Sequence, residues 1–219
     1  MAANSLLLLL SLSLTIFFVP TSLAADADPL QDFCVADLHS PVVVNGFPCK
    51  PNFTVVSDDF FSSAISVAGD TNNMFGSSIT PANVLSFPGL NTLGLSMNRV
   101  DIAPGGVNPP HVHPHATQLG FVVEGKVLVG FVTTAGVFYS KVLGPGMNFI
   151  IPRGLMHFEL NIGEGKALEI TAFNSQLPGT VVSSVTLFGS KPPIPDAVLS
   201  RTFQVDNQII DLIKSKFGN

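Results

Sequence analysis

The segment from Gly106 to Gly125, GVNPPHVHPHATQLGFVVEG, carries three histidines at alternating positions, His111, His113 and His115. A second segment, GPGMNFIIPRGLMHFELN, supplies His157. Only His39 lies elsewhere. Residues i and i+2 of a strand face the same way, and imidazole suits first-row transition metals, so the chemistry on offer is metal ligation. His111 and His113 share a face, and Pro114 then interrupts regular pairing. That kink allows Gln118 to return toward the same centre despite its odd offset from 113. His157 comes from a separate strand behind the turn Pro152-Arg153-Gly154. Three imidazoles inside a small barrel leave coordination positions open for water or substrate, which separates a reactive ion from a purely structural one. His115 follows Pro114 and reads as a surface or interface residue, and His39, beside Ser40-Pro41, as a loop residue. Glu124 precedes a turn glycine and reads as a hairpin cap, while Met97, Met147 and Met156 read as core. No Ser-His-Asp or Cys-His arrangement stands out, so hydrolysis has no support.

The elements that must position these groups are short. Leu95–Ile102, Thr117–Val123, Val127–Val132, Val137–Val142, Asn148–Ile151, Met156–Asn161 and Ala167–Phe173 each read as a strand. Between them stand Pro104-Gly105-Gly106, Glu124-Gly125, Gly144-Pro145-Gly146, Pro152-Arg153-Gly154 and Gly163–Gly165, which is turn chemistry. Regular short strands without intervening helical patterns predict an all-β sandwich or jelly roll. After the stiff run Lys191–Pro195, two segments, Asp196–Phe203 and Asp206–Phe217, show helical spacing, with Ile209, Ile210, Ile213 and Phe217 expected along one face. Such an apolar appendage packs on its own barrel or on a neighbouring subunit. With 219 residues, one substantial core is the natural outcome. Charged residues make up only 11 % and the net charge is −5, so a phosphate-binding surface of clustered Lys and Arg is missing and nucleic acid is excluded as a partner.

Residues 1–24 read as a secretory leader: an apolar run from Leu6 to Val19, a break at Pro20, and small residues in Ser22-Leu23-Ala24. The run is short for a membrane span and no basic stop-transfer flank follows it. No membrane partner is expected. Secretion exposes Cys34 and Cys49, with fourteen residues between them, to an oxidising compartment. One disulfide is expected, and closing a loop of that size contributes about 3 kcal/mol in the chain-entropy view. Asn52-Phe53-Thr54 is the single N-x-S/T sequon of the chain, which makes Asn52 the candidate glycosylation site.

The histidine segments follow the paired patterns G-x5-H-x-H-x4-E-x6-G and G-x5-P-x-G-x2-H-x3-N, here Gly105 or Gly106 to Gly125 and Gly146 to Asn161, except that Gln118 stands at the glutamate of the first. These patterns resemble the two boxes of the cupin superfamily. The phrases LQDFCVADL, PGLNTLG, APGGVNPPH, IPRGLMHF, FNSQLPGT and LFGSKPPIP resemble plant germins and germin-like proteins, across essentially the whole mature chain. The resemblance implies an all-β cupin jelly-roll barrel with a short C-terminal helical extension. It divides residues 25–219, a single domain, into an N-terminal extension with the disulfide (25–60), a barrel (about 61–190) and helices (about 191–219). It further implies Mn2+ as cofactor, residence in the apoplast, a role in defence, stress or the cell wall, and a homohexamer built as a trimer of dimers. Family activities are oxalate oxidase and superoxide dismutase. Residue by residue, His111, His113 and His157 match the imidazole ligands, and Asn98 and Asn108 match positions that contact a carboxylate substrate in oxalate-oxidising members.

Two positions depart from the family. Where the fourth ligand is a glutamate this chain has Gln118, which offers an amide oxygen but no charge. Members commonly carry glutamine two residues past the third histidine, whereas this chain has Glu159. An exchange of carboxylate and amide is expected, with Glu159 facing inward beside His157 and either reaching the ion or acting through its ligands. Losing an anionic ligand disfavours the trivalent state of manganese, on which both family activities draw, so oxidase and dismutase turnover are both weakened. The expectation is a superoxide dismutase-type reaction on a small-molecule substrate with weak or absent oxalate oxidase activity. A non-catalytic metal-binding storage or receptor-like protein and an active oxalate oxidase are the alternatives, and three neutral imidazoles also suit another divalent metal.

Overall fold

A computed structural model of the protein describes residues 31–218, and the expected leader lies outside the described residues. The strands are β1 Ser77–Ala82, β2 Ser96–Ile102, β3 Val107–Val112, β4 Gln118–Glu124 and β5 Val127–Val132. They continue as β6 Phe138–Leu143, β7 Asn148–Ile151, β8 Met156–Asn161, β9 Ala167–Phe173 and β10 Val181–Val182. They form two antiparallel sheets, ordered β1-β2-β9-β4-β7 and β10-β3-β8-β5-β6. Seven of these strands were expected from alternation, four of them with identical bounds; β1, β3 and β10 were not enumerated. Pro81 in β1 and Pro109-Pro110 in β3 remove ladder donors. The proline pair coincides with a register shift against β8 between Asn108 and His111.

Period-2 alternation puts small and branched apolar residues between the sheets. Ile102, Val122, Val127 and Val129 form the apolar end of the interior together with Val100, Leu143 and Ile151. The same parity carries His157, Glu159 and Asn161 inward along β8, and Ala167, Glu169, Thr171 and Phe173 inward along β9. Asn161, the last residue of the second box, is a clamp: its Nδ2 donates to the carbonyls of Ile102, Ala103 and Gly165. Met97, Met147 and Met156 correct an expectation. They are exposed, because Met97 and Met156 have the parity opposite to inward Asn98 and His157 and Met147 precedes β7 in the turn.

Three short helices follow the barrel, α1 Ser183–Phe188, α2 Asp196–Phe203 and α3 Asn207–Lys214. Phe188, Leu199 and Ile210 form a second small core, joined by Ile213 and Phe217. Ile209 does not share that face; it is one residue, hence about 100°, around the helix from Ile210 and is exposed. Lys214, on the buried side of α3, donates to the Ile194 carbonyl and pairs with Asp196. Cys34 and Cys49 are joined as a disulfide, and Asn52 sits just beyond it in an exposed 3-10 turn. No helix among the described residues is long and apolar enough to cross a membrane.

Candidate metal centre

Two strands and a turn bring the imidazoles together. His111 on β3 lies opposite His157 on β8, with ring centroids 4.0 Å apart. The register shift at the proline pair explains why Asn108 and His111, an odd number apart, both face inward. His113 stands just past the end of β3. The Pro152-Arg153-Gly154 turn grips the backbone there: Gly154 N–H donates to the His113 carbonyl at 3.1 Å and Arg153 Nε to the Pro114 carbonyl at 2.8 Å. Gly154 has φ +76°, a conformation that favours glycine. All three rings are buried.

The tautomer of each ring is dictated by the main chain. His111 Nδ1 meets the Pro109 carbonyl at 2.8 Å, His113 Nδ1 the Gly179 carbonyl at 2.7 Å and His157 Nδ1 the Leu155 carbonyl at 2.8 Å. A carbonyl only accepts, so each Nδ1 carries the proton and each Nε2 keeps its lone pair. Burial, followed by neighbouring His113, lowers His111 to about 4. Burial and then His111 lower His157 to about 3. His113 is lowered chiefly by burial, opposed by the Gly179 carbonyl and Gln118. The rings are therefore neutral ligands at ordinary pH. One ligand atom from each lies within 4.8 Å of the others.

Gln118 enters from β4. Its Oε1 lies 3.0 Å from His157 Nε2, so two acceptors face each other, a contact that costs free energy unless a cation lies against both. Its Nε2 donates to Glu159 Oε1 at 3.1 Å, and Asn108 Nδ2 donates to Glu159 Oε2 at 2.9 Å. Three converging lone pairs plus a misdirected amide oxygen fit a metal ion, and these residues would hold it. Glu159, 0 % exposed, lies behind Gln118: burial pushes its carboxyl up to about 7, against the two amide donors, which pull it down.

A cavity of about 210 Å³ opens beside the imidazoles, lined by Asn98, Asn108, His111, His113, Gln118 and Thr171 among others. Both asparagines singled out in the sequence reach it. Two buried groups escaped the sequence reading. The Thr171 hydroxyl and both carboxylate oxygens of Glu169 have no hydrogen-bond partner. Burial, and then the Glu159 charge, push Glu169 well above its ordinary range. Glu169 and Thr171 both lie on the face of β9 shared by residues 167, 169, 171 and 173, a shared parity that does not by itself say which face is enclosed. His115 and His39 are exposed and Glu124 ends β4 at the surface, outside the centre.

Residues 63–211 match the Cupin family model. "Germin-like protein 3-8" of Oryza sativa subsp. japonica is 57 % identical over 217 residues, 95 % of this chain and 96 % of the rice protein. A solved structure described as oxalate oxidase in complex with the substrate analogue glycolate superposes with TM-score 0.87 at 51 % identity, covering 88 % of this chain and 98 % of that one. Peruvianin-I, described as a cysteine peptidase from Thevetia peruviana latex, superposes with TM-score 0.70 at 44 % identity over 72 % of this chain and 97 % of that one.

Proposed function

This chain belongs to the germin-like family of cupins, and from that membership we propose that it is a secreted, Mn2+-binding protein with dismutase-type redox activity toward superoxide and little or no oxalate oxidase activity. The observation that carries the metal reading is the convergence of one ligand atom from each of His111, His113 and His157 within 4.8 Å, with Gln118 Oε1 3.0 Å from His157 Nε2 beside them. Bound manganese supplies a one-electron redox centre. The chain's own residues do the rest. His111, His113 and His157 hold neutral nitrogen donors in place through the main chain, Gln118 adds oxygen without charge, and the cavity with Asn98 and Asn108 admits a small polar molecule. Swapping carboxylate for amide among the ligands removes the negative charge that best stabilises a trivalent ion. Turnover of either kind is therefore expected to be slower than with a carboxylate ligand, and oxalate oxidation is expected to be weak or absent.

A peptidase reading finds no support. Both cysteines of the chain are consumed in the Cys34–Cys49 disulfide, so no thiolate nucleophile is at hand. That bridge and the leader support export to the apoplast, and exposed Asn52 supports glycosylation there. Apolar side chains left in solvent support a homo-oligomer, proposed as a hexamer: Leu119, Phe121 and Ile150 on the β4–β7 edge, and Val198, Phe203 and Leu212 on the helices. Elemental analysis of the purified protein, combined with peroxide release from oxalate and removal of superoxide, tests the reading. The expected result is about one manganese per chain, superoxide-dependent turnover and no oxalate-driven peroxide. A metal-free protein, or oxalate turnover matching that of a Gln118→Glu variant, would overturn it.

A further inference from the structure

We propose that Glu159 is a positioning residue that dictates which end of the Gln118 amide faces the imidazoles, so that the two side chains act as one exchanged unit and set the charge and the metal preference of the centre. The inference deepens the metal reading and rests on it.

An amide has an accepting end and a donating end, and Gln118 is wedged between two groups that both accept. On one side is His157 Nε2, deprived of its proton because Nδ1 donates to the Leu155 carbonyl. On the other is Glu159, whose two oxygens receive Gln118 Nε2 and Asn108 Nδ2. Either direction of the amide leaves one repulsive contact in the absence of a cation. Turning the oxygen toward the buried carboxylate is the worse choice, because a charged acceptor makes the stronger repulsion. Glu159 therefore sends the Gln118 NH2 toward itself and the oxygen toward the imidazoles, where an ion relieves the remaining conflict. Asn108 makes the arrangement asymmetric by occupying the other Glu159 oxygen, so the carboxylate is held at both ends.

The consequence is a donor set of three neutral nitrogens and one neutral oxygen, with the Glu159 carboxyl one amide away. Carboxylate ligation favours hard ions such as manganese, whereas imidazole-rich neutral sets suit copper, nickel and zinc equally well. Restoring the carboxylate to position 118 should therefore move selectivity toward manganese, provided position 159 yields its charge at the same time. If position 159 keeps it, two carboxylates meet with no donor between them.

Four proteins decide the matter: wild type, Gln118→Glu, Glu159→Gln, and the chain carrying both changes, each stripped of metal. Thermal unfolding without metal and equilibrium dialysis against Mn2+ and against Zn2+ are the measurements. Gln118→Glu alone should unfold at lower temperature than wild type, and adding Glu159→Gln should restore it, since one amide again donates to one carboxylate. Glu159→Gln alone should weaken Mn2+ binding by about tenfold or more, the loss expected when the partner that orients a ligand is removed. An amide at 159 donates as readily as it accepts and no longer fixes Gln118. The doubly exchanged chain should bind Mn2+ at least as tightly as wild type, with the ratio of Mn2+ to Zn2+ affinity raised. Additive effects in the metal-free unfolding series overturn the pairing, as does unchanged Mn2+ affinity in Glu159→Gln. Failure of wild type to take up either ion overturns the metal reading instead, and the unfolding series still decides whether the two residues are coupled.

Discussion

Glu169 is a carboxyl group that the fold tolerates at a cost, and replacing it with methionine should stabilise the metal-free protein by an amount that depends on pH. The side chain is 0 % exposed and both oxygens lack partners. An unpaired buried polar group costs about 1–3 kcal/mol, which Glu169→Met removes, while an unbranched thioether adapts to the space left. Ionisation adds a second component. Burial and the nearby Glu159 raise Glu169 well above the ordinary 4.5 in the folded state, so the unfolded chain releases its proton first. The contribution of this group to stability is then whole below about pH 4.5 and is lost as pH rises toward the raised folded value, by at most about 1.4 kcal/mol per pH unit. The methionine variant should gain about 1–3 kcal/mol at pH 5 and a larger margin at pH 7. For a chain of this size each kcal/mol corresponds to about 2–4 °C in Tm. Denaturant unfolding of metal-stripped wild type and variant at both pH values, at one protein concentration, measures the margin. A margin that is equal at the two pH values, or a variant less stable than wild type at both, refutes the reasoning.

Three further outcomes follow from other parts of the molecule. Because His111 and His157 are depressed to about 4 and about 3 from an ordinary 6.5, their contribution to metal-free stability is whole above pH 6.5 and falls away on acidification. Bound metal should survive dialysis at pH 5, and release near pH 6 would contradict this. Replacing Cys34 and Cys49 together by serine should cost about 3 kcal/mol in denaturant unfolding while leaving metal stoichiometry unchanged, since neither cysteine lines the cavity beside the imidazoles. Ile210→Ala, which opens a space at the centre of the helical core, should cost about 2–5 kcal/mol. Its loss should appear as faster amide hydrogen exchange in α2 and α3, with β8 and β9 unaffected.

The barrel strands were legible because their hydrophobic residues alternate and glycine or proline ends them. That signal faded at Pro81 and at Pro109-Pro110, where strands persist on pairing from neighbours, a tertiary effect that no local pattern carries. The three imidazole ligands were legible from spacing, as was the inward direction of Glu159, which follows from parity with His157. The direction of the Gln118 amide was not, because it depends on β4 and β8 facing each other across the interior. Glu169 and Thr171 were hidden for a related reason: Leu168 and Ile170 make both faces of β9 apolar, so the sequence does not reveal which residues are enclosed. Met97 and Met156 were misplaced for another reason: they lie on the strand faces opposite to Asn98 and His157, and it is the polar residues, not the methionines, that turn inward, while Met147 lies in the turn before β7. In α3 the apolar stripe is broader than the buried one, and Ile209 and Leu212 are exposed.

The ring protons of all three histidines rest on main-chain carbonyls at Pro109, Gly179 and Leu155, not on other side chains. Amino-acid replacements around the centre therefore leave the nitrogen donors as they are, and they persist for as long as the barrel itself folds. Inherited change can then alter positions 118 and 159 as a pair while the three nitrogen donors stay in place. A lineage of such barrels can thus vary the surroundings of the three nitrogen donors through a handful of codons while its scaffold stays the same.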